Sequence, residues 1–191
     1  PRFVLGGGGT VLQEVALGNK SLADYTHLAG RGVVQEIRAL AEGLNGKRVL
    51  HVSATAFGGG VSEILYSLVP LMRDIGLDVS WQVIMGREEF FNATKLLHNS
   101  LQGDENTLTE QQWEVFFAYN AMNARGLDGD WDAIVIHDPQ PLALRRALQP
   151  GVLMLGLAAG CGALTGIDGG AATGPVTTDV GQGAAAAADI S

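Results

Sequence analysis

Runs of apolar residues change their period several times along the chain, and each change marks an element. Between Gly30 and Leu44 the apolar residues Val33, Val34, Ile37, Leu40 and Leu44 fall at helical spacing, with Gly43 near the end of the run. "KRVLHVS" (Lys47 to Ser53) is short, β-rich and free of polar alternation, as a strand covered on both faces of a parallel sheet would be. A glycine triplet intervenes. Val61, Ile64, Leu65, Leu68, Leu71, Met72 and Ile75 then trace a helix with Ser62 and Glu63 in its first turn and Gly76 at its end. Pro70 inside it is expected to kink it or to cost it one hydrogen bond. Leu77 to Met85 reads as the next strand, and "EEFFNATKLLHNSLQG" as a helix ending at Gly103. Thr109 with Gln112 has the form of a capping box opening a further helix. Asp132 to Ile136 is again strand-like, "QPLALRRALQ" a short helix, and "GTVLQEVAL" near the front a short leading strand. Strands alternating with helices predict an α/β fold: a parallel sheet with helices on both faces. No internal repeat is visible.

In such a sheet ligands bind beyond the carboxyl ends of the strands. Two loops of this chain occupy that position. "ATAFGGGV" follows the strand ending at Ser53 and leads through Gly58, Gly59 and Gly60 into a helix N-terminus, where free N–H groups and the helix dipole favour an anion. Missing Cβ atoms would let a phosphate or a sugar hydroxyl reach those amides; the same glycines would also serve a tight turn needing positive φ. The spacing is neither a dinucleotide fingerprint nor a phosphate-binding P-loop. "IHDPQP" follows the last strand and brings an imidazole (His137), a carboxylate (Asp138) and an amide (Gln140) to one place, a mixture of donors and acceptors suited to sugar hydroxyls. Pro139 drives Asp138 out of the helical region. The competing reading is a polar turn in which Asp138 caps the next helix.

The remaining histidines carry less. His51 lies within an apolar strand and is expected to be a hydrogen-bonded core residue, and His27 to be on the surface. His98 can share a polar face with Asn92, Lys95 and Asn99. No spacing suggests a metal cluster, and Cys161 has no evident base beside it.

Composition divides the 191 residues in two. Every Lys and Arg lies in residues 1–150, which read as one folded domain. Residues 151–191 form a tail rich in Gly and Ala, without Lys, Arg, Glu, His or aromatic residues. The net charge of −8 argues against a nucleic-acid partner. One cysteine cannot form an internal disulfide, so a reducing, cytoplasmic setting is the expectation. The opening "PRFVLGGGGT" has too short an apolar part for a secretory signal. The uncharged run from Gly151 to Ile167 is at the short limit for a membrane span; an apolar segment covering a sheet edge is the preferred reading, and no membrane association is expected.

Several stretches together resemble a known family. "LQEVALGNKSLADY", "RVLHVSATAFGGGVSEILYSLVPLMRDIGLDVSWQVI", "EEFFNATKLLHNSLQG", "LTEQQWEVF" and "IHDPQPLAL", in this order, resemble the amino-terminal half of trehalose synthases of the glycosyltransferring type, over roughly Leu12 to Leu148. The resemblance implies one Rossmann-like half of a GT-B fold. It implies a retaining glycosyltransferase that joins glucose from a nucleotide-diphosphate glucose to free glucose, without cofactor or metal. By the same resemblance Gly58, Gly59 and Gly60 match the loop near the donor diphosphate. His137, Asp138 and Gln140 match the segment lining the cleft, and Asn92, Lys95, His98 and Asn99 match a segment facing it; no single catalytic residue is assigned. The family's donor-binding second domain has no counterpart here, and the tail resembles nothing in the family, as a shifted reading frame or a truncated gene would leave it. The chain alone is therefore expected to be inactive, with glucose, trehalose or a nucleotide-glucose as ligand and an apolar interdomain face that could make it self-associate. A sugar-binding module without turnover is the alternative, and a Rossmann-like oxidoreductase is disfavoured by the missing fingerprint.

Overall fold

The computed structural model describes residues 12–127 and 129–148, and the backbone of the strand residues 153–157. In chain order the elements are β1 (Leu12–Glu14), α1 (Thr26–Ala29), α2 (Arg31–Ala41), β2 (Arg48–Ser53), α3 (Gly60–Asp74), β3 (Asp78–Ile84), α4 (Glu88–Leu101), α5 (Glu110–Ala124), β4 (Ala133–His137) and β5 (Leu153–Leu157), with 3₁₀ turns at Leu22–Tyr25, Glu42–Leu44 and Leu142–Ala147.

The strands form one sheet in the order β1-β3-β2-β4-β5. β3, β2, β4 and β5 run parallel, whereas β1 lies antiparallel on β3, with Leu12 opposite Ile84 and Glu14 opposite Gln82. The expected parallel sheet is formed by β3, β2, β4 and β5, and the short leading strand β1 adds an antiparallel edge to it. β1 is not tied to β3 by a single strand–helix–strand crossover, so nothing forces it parallel, and an antiparallel edge strand is a common end to such sheets. β5 lies past residue 150, so the sheet extends beyond the boundary drawn from composition and runs into the Gly/Ala-rich segment. Cys161 and the rest of the tail lie outside the described residues.

Side chains alternate between the two faces of each strand. Val49, Val79, Trp81, Val83 and Val135 pack beneath α3 with its Leu65 and Val69. Leu50, Val52, Ile84, Ile134 and Ile136 lie on the opposite face with Phe90 of α4, Val115, Phe116 and Tyr119 of α5, and Leu144 of the last 3₁₀ turn. Burial on both faces is the reason β2 shows no polar alternation. α3 continues through Pro70, which is itself buried. The capping box forms as expected: Gln112 N donates to Thr109 Oγ1 (3.3 Å) and Thr109 N to Gln112 Oε1 (2.9 Å).

Where β3 turns into α4, Gly86 lies against the fully buried ring of Phe90, and a Cβ there would run into the ring's Cδ1. Phe90 is wedged among core residues and has nowhere to withdraw. Gly86→Ala is expected to lower stability by about 1–3 kcal/mol, read as a shift in the urea midpoint at unchanged slope.

Candidate functional site

β2 is the centre of the sheet, with β3 on one side and β4 on the other. Chain order reverses there, and this opens a crevice at the carboxyl ends of the strands. The glycine loop leaves β2 at this end and the His137 loop leaves β4, its direct neighbour.

The glycine loop is built from short polar bonds. Trp81 Nε1 donates to Ser53 Oγ (2.8 Å), and Ser53 Oγ donates to the carbonyl of Thr55 (3.1 Å). Thr55 Oγ1 accepts from Phe57 N (3.1 Å), and the buried Ser62 donates to the carbonyl of Gly59 (2.9 Å). Gly58 and Gly59 have φ of 69° and 109°, which side-chain-bearing residues rarely adopt, so the turn itself requires glycine at both. Gly60 has no such requirement. A Cβ on any of the three would meet no atom within 4 Å, so the space above the loop is open. No side chain caps α3. Its first amides are therefore unclaimed by a side-chain cap, as an anion-binding helix N-terminus would have them.

The loop after β4 is held from the other face of the sheet. Asp138 adopts φ of 68°, a left-handed conformation that costs a non-glycine residue roughly 1 kcal/mol. Pro139 excludes the alternative helical region, and Asn120 of α5 fixes the next peptide by donating from Nδ2 to the carbonyl of Gln140 (3.0 Å). The 3₁₀ turn that follows has Pro141 at its start and no side-chain cap, so Asp138 is not its cap. Burial pushes the Asp138 carboxyl above its ordinary range, while His98 of α4 pulls it the other way. The buried Asn120 Oδ1 and the Gln140 Oε1 have no hydrogen-bond partner among the described residues.

His137, Asp138 and Gln140 leave β4 in one loop, with the His137 ring turned to His51 and the Gln140 carbonyl held by Asn120, while His98 on α4 contacts Gln102. Asn92 and Lys95 are exposed and Asn99 is half-buried; by helix geometry they share one side of α4 with His98. An open cleft of about 480 Å³ lies between the exits of β2 and β3, lined by Gln13, Ala54, Phe57, Tyr66, Gly86 and Phe91 among others. It reaches the residue before Gly58 and the residue before Asn92. This concavity lies on the β3 side of β2, beside the glycine loop and away from the His137 loop.

The sequence missed the residues that set these loops. Asn123, fully buried on α5, clasps the exit of β3: it accepts from Met85 N (2.7 Å) and donates to the carbonyl of Met85 (2.7 Å). Asn120 holds the exit of β4 by donation alone, from Nδ2 to the carbonyl of Gln140. Tyr119, one residue away, donates to Glu89 of α4 (2.5 Å). Burial and that carboxylate push the Tyr119 hydroxyl up to about 12. The available signal was two amides one helical turn apart in line with the buried stripe of Val115, Phe116 and Tyr119. His51 is the buried, hydrogen-bonded core histidine expected, and its partner is His137 (2.9 Å). Among the described residues no three of His, Cys, Asp and Glu converge as metal ligands, and no helix is long and apolar enough to cross a membrane.

Residues 51–154 match the family described as "Trehalose synthase, N-terminal domain". The trehalose synthase of Rubrobacter xylanophilus is 48% identical over 139 residues, which are 71% of this chain and 33% of that protein. The trehalose synthase of Thermococcus litoralis is 49% identical over 127 residues, 65% of this chain and 31% of that protein. A trehalose phosphorylase of Grifola frondosa is 29% identical over 82 residues, 42% of this chain and 11% of that protein. The chain spans about a third of the length of the trehalose synthases it matches.

Proposed function

The chain belongs to the family of trehalose synthase N-terminal domains, and on that premise we propose that it is the acceptor-side, Rossmann-like half of a retaining GT-B glycosyltransferase that makes trehalose from a nucleotide-diphosphate glucose and glucose. In that reaction the bond from the donor's anomeric carbon to the diphosphate breaks, its electron pair leaving with the phosphate oxygen. A hydroxyl oxygen of the acceptor glucose takes its place on the same face and gives up its proton to the departing phosphate oxygen. The protein's share is position and charge: the amides entering α3 at Gly58–Gly60 face the departing diphosphate, and the His137–Asp138–Gln140 loop holds the acceptor beside it, with Asn92, Lys95, His98 and Asn99 along the α4 side.

One observation carries the reading. The strained loop after β4 carries the half-buried Asp138 carboxylate, and where Asn120 holds that loop two carbonyl oxygens, Asn120 Oδ1 and Gln140 Oε1, have no donor among the described residues. Buried acceptors without donors are costly, and a ligand rich in hydroxyl donors relieves them. A sugar is such a ligand. Calorimetric titration with glucose, trehalose and UDP-glucose, with NAD as the control, tests this. Binding of glucose or trehalose with Kd of about 1 mM, lost in Asp138→Ala, is expected, with no turnover by the chain alone. A folded chain that binds none of the three sugars refutes the acceptor role. Binding of NAD instead would make it an oxidoreductase domain. Restoration of transfer by an added donor-binding domain separates the half-enzyme from a module that only binds.

A further inference from the structure

His51 and His137 form a buried polar pair across β2 and β4, and the sugar reading gives His51 no part. β2 and β4 are neighbours, and both residues lie on the face beneath α3. The residues are 3% and 5% exposed, the rings stack at 5.2 Å and 17°, and His51 Nδ1 lies 2.9 Å from His137 Nε2. One of those two nitrogens must carry a proton and the other a lone pair. A neutral imidazole has a single N–H, so the choice at this contact fixes the state of all four ring nitrogens.

We infer that His51 is a positioning residue that donates from Nδ1 to His137 Nε2 and thereby holds His137 in the tautomer with its own proton on Nδ1. The opposite arrangement would put the His51 proton on Nε2, which is buried and has no partner among the described residues. An orphaned buried N–H is the rarer and costlier defect, and an unpaired acceptor is the more tolerable one. Burial lowers both histidines to about 4, so both are neutral at pH 7.

The consequence for a ligand rests on the sugar reading. With Nε2 of His137 occupied by His51, Nδ1–H is the one polar ring atom that His137 has left to offer, so the ligand atom that it meets is an acceptor oxygen.

Long-range 1H–15N correlation of the full chain labelled in its histidines, at pH 7, reads the tautomers directly. His51 and His137 are each expected to show one neutral form with the proton on Nδ1. A proton on Nε2 of His137, or averaged signals, overturns the inference. His51→Leu should release His137 into averaged tautomers and weaken glucose binding by about tenfold. His51→Asn, whose amide can donate from nearly the same place, should restore both. If His51→Leu does not fold, the wild-type and His51→Asn spectra decide. Nδ1 protonation in a chain that binds no sugar would sink the sugar reading alone. Nε2 protonation with glucose binding intact would sink this inference alone.

Discussion

Replacing Trp81 with Ala is expected to cost about 3–5 kcal/mol, most of the stability that a domain of this size has. Trp81 is fully buried in the centre of β3, packs edge-on to Tyr66 of α3 at 5.1 Å, and belongs to the cluster that joins α3 to the sheet. Its indole N–H also begins the chain of bonds through Ser53 to Thr55 that shapes the entry to the glycine loop. Trp81→Phe separates the two contributions. It keeps most of the packing and leaves Ser53 Oγ without its donor, at a cost of about 1–2 kcal/mol. Urea unfolding of both variants checks the order. If Phe proves as costly as Ala, the bond chain rather than the packing holds α3 down. If both are mild, the cluster beneath α3 is not the core it is described to be.

The strand-and-helix order was legible because both faces of the sheet are covered. Double burial turns β2 and β4 into unbroken apolar runs, and one-sided burial gives the helices their stripes. The direction of β1 was not legible. Three residues at an edge pair with whatever edge is free, and that is decided by β3. β5 was legible in part: the uncharged run from Gly151 was expected to cover a sheet edge, and Leu153–Leu157 within it pairs with β4, but a Gly/Ala-rich composition gives no bounds for the strand. The loop after β4 could be found because a buried strand ending in His137 and Asp138 before a proline has few structural explanations. Its support could not: Asn120 and Asn123 look like ordinary polar helix residues until β3 and β4 are laid beneath them. His51 could be recognised as a core residue from its strand alone. Its partner could not, because His137 is 86 residues away and only strand pairing brings the two together.

That pairing also makes the chain sensitive to acid. Each histidine has its ordinary value of 6.5 when unfolded and about 4 when folded, lowered first by burial. Between those values the unfolded chain binds more protons than the folded one, so stability rises with pH there. Their contribution is complete above pH 6.5 and is lost as pH falls towards 4. It is on the order of 3 kcal/mol for one histidine and larger for the pair. Asp138 acts with the opposite sign: its raised carboxyl gains a proton more readily in the folded chain, so acid relieves part of its burial cost. Glu89 and Asp132 are lowered, by the Tyr119 hydroxyl and by Lys47 respectively, so what they contribute is lost only further down, as pH falls through the carboxylate range. The expected result is a steep fall in the urea midpoint between pH 6.5 and 4.5, before the carboxylates titrate. His51→Asn, with one imidazole fewer, should lose about half of that slope while keeping the fold. An unchanged slope in His51→Asn would move the acid sensitivity to the carboxylates and leave the histidine pair without a part in it.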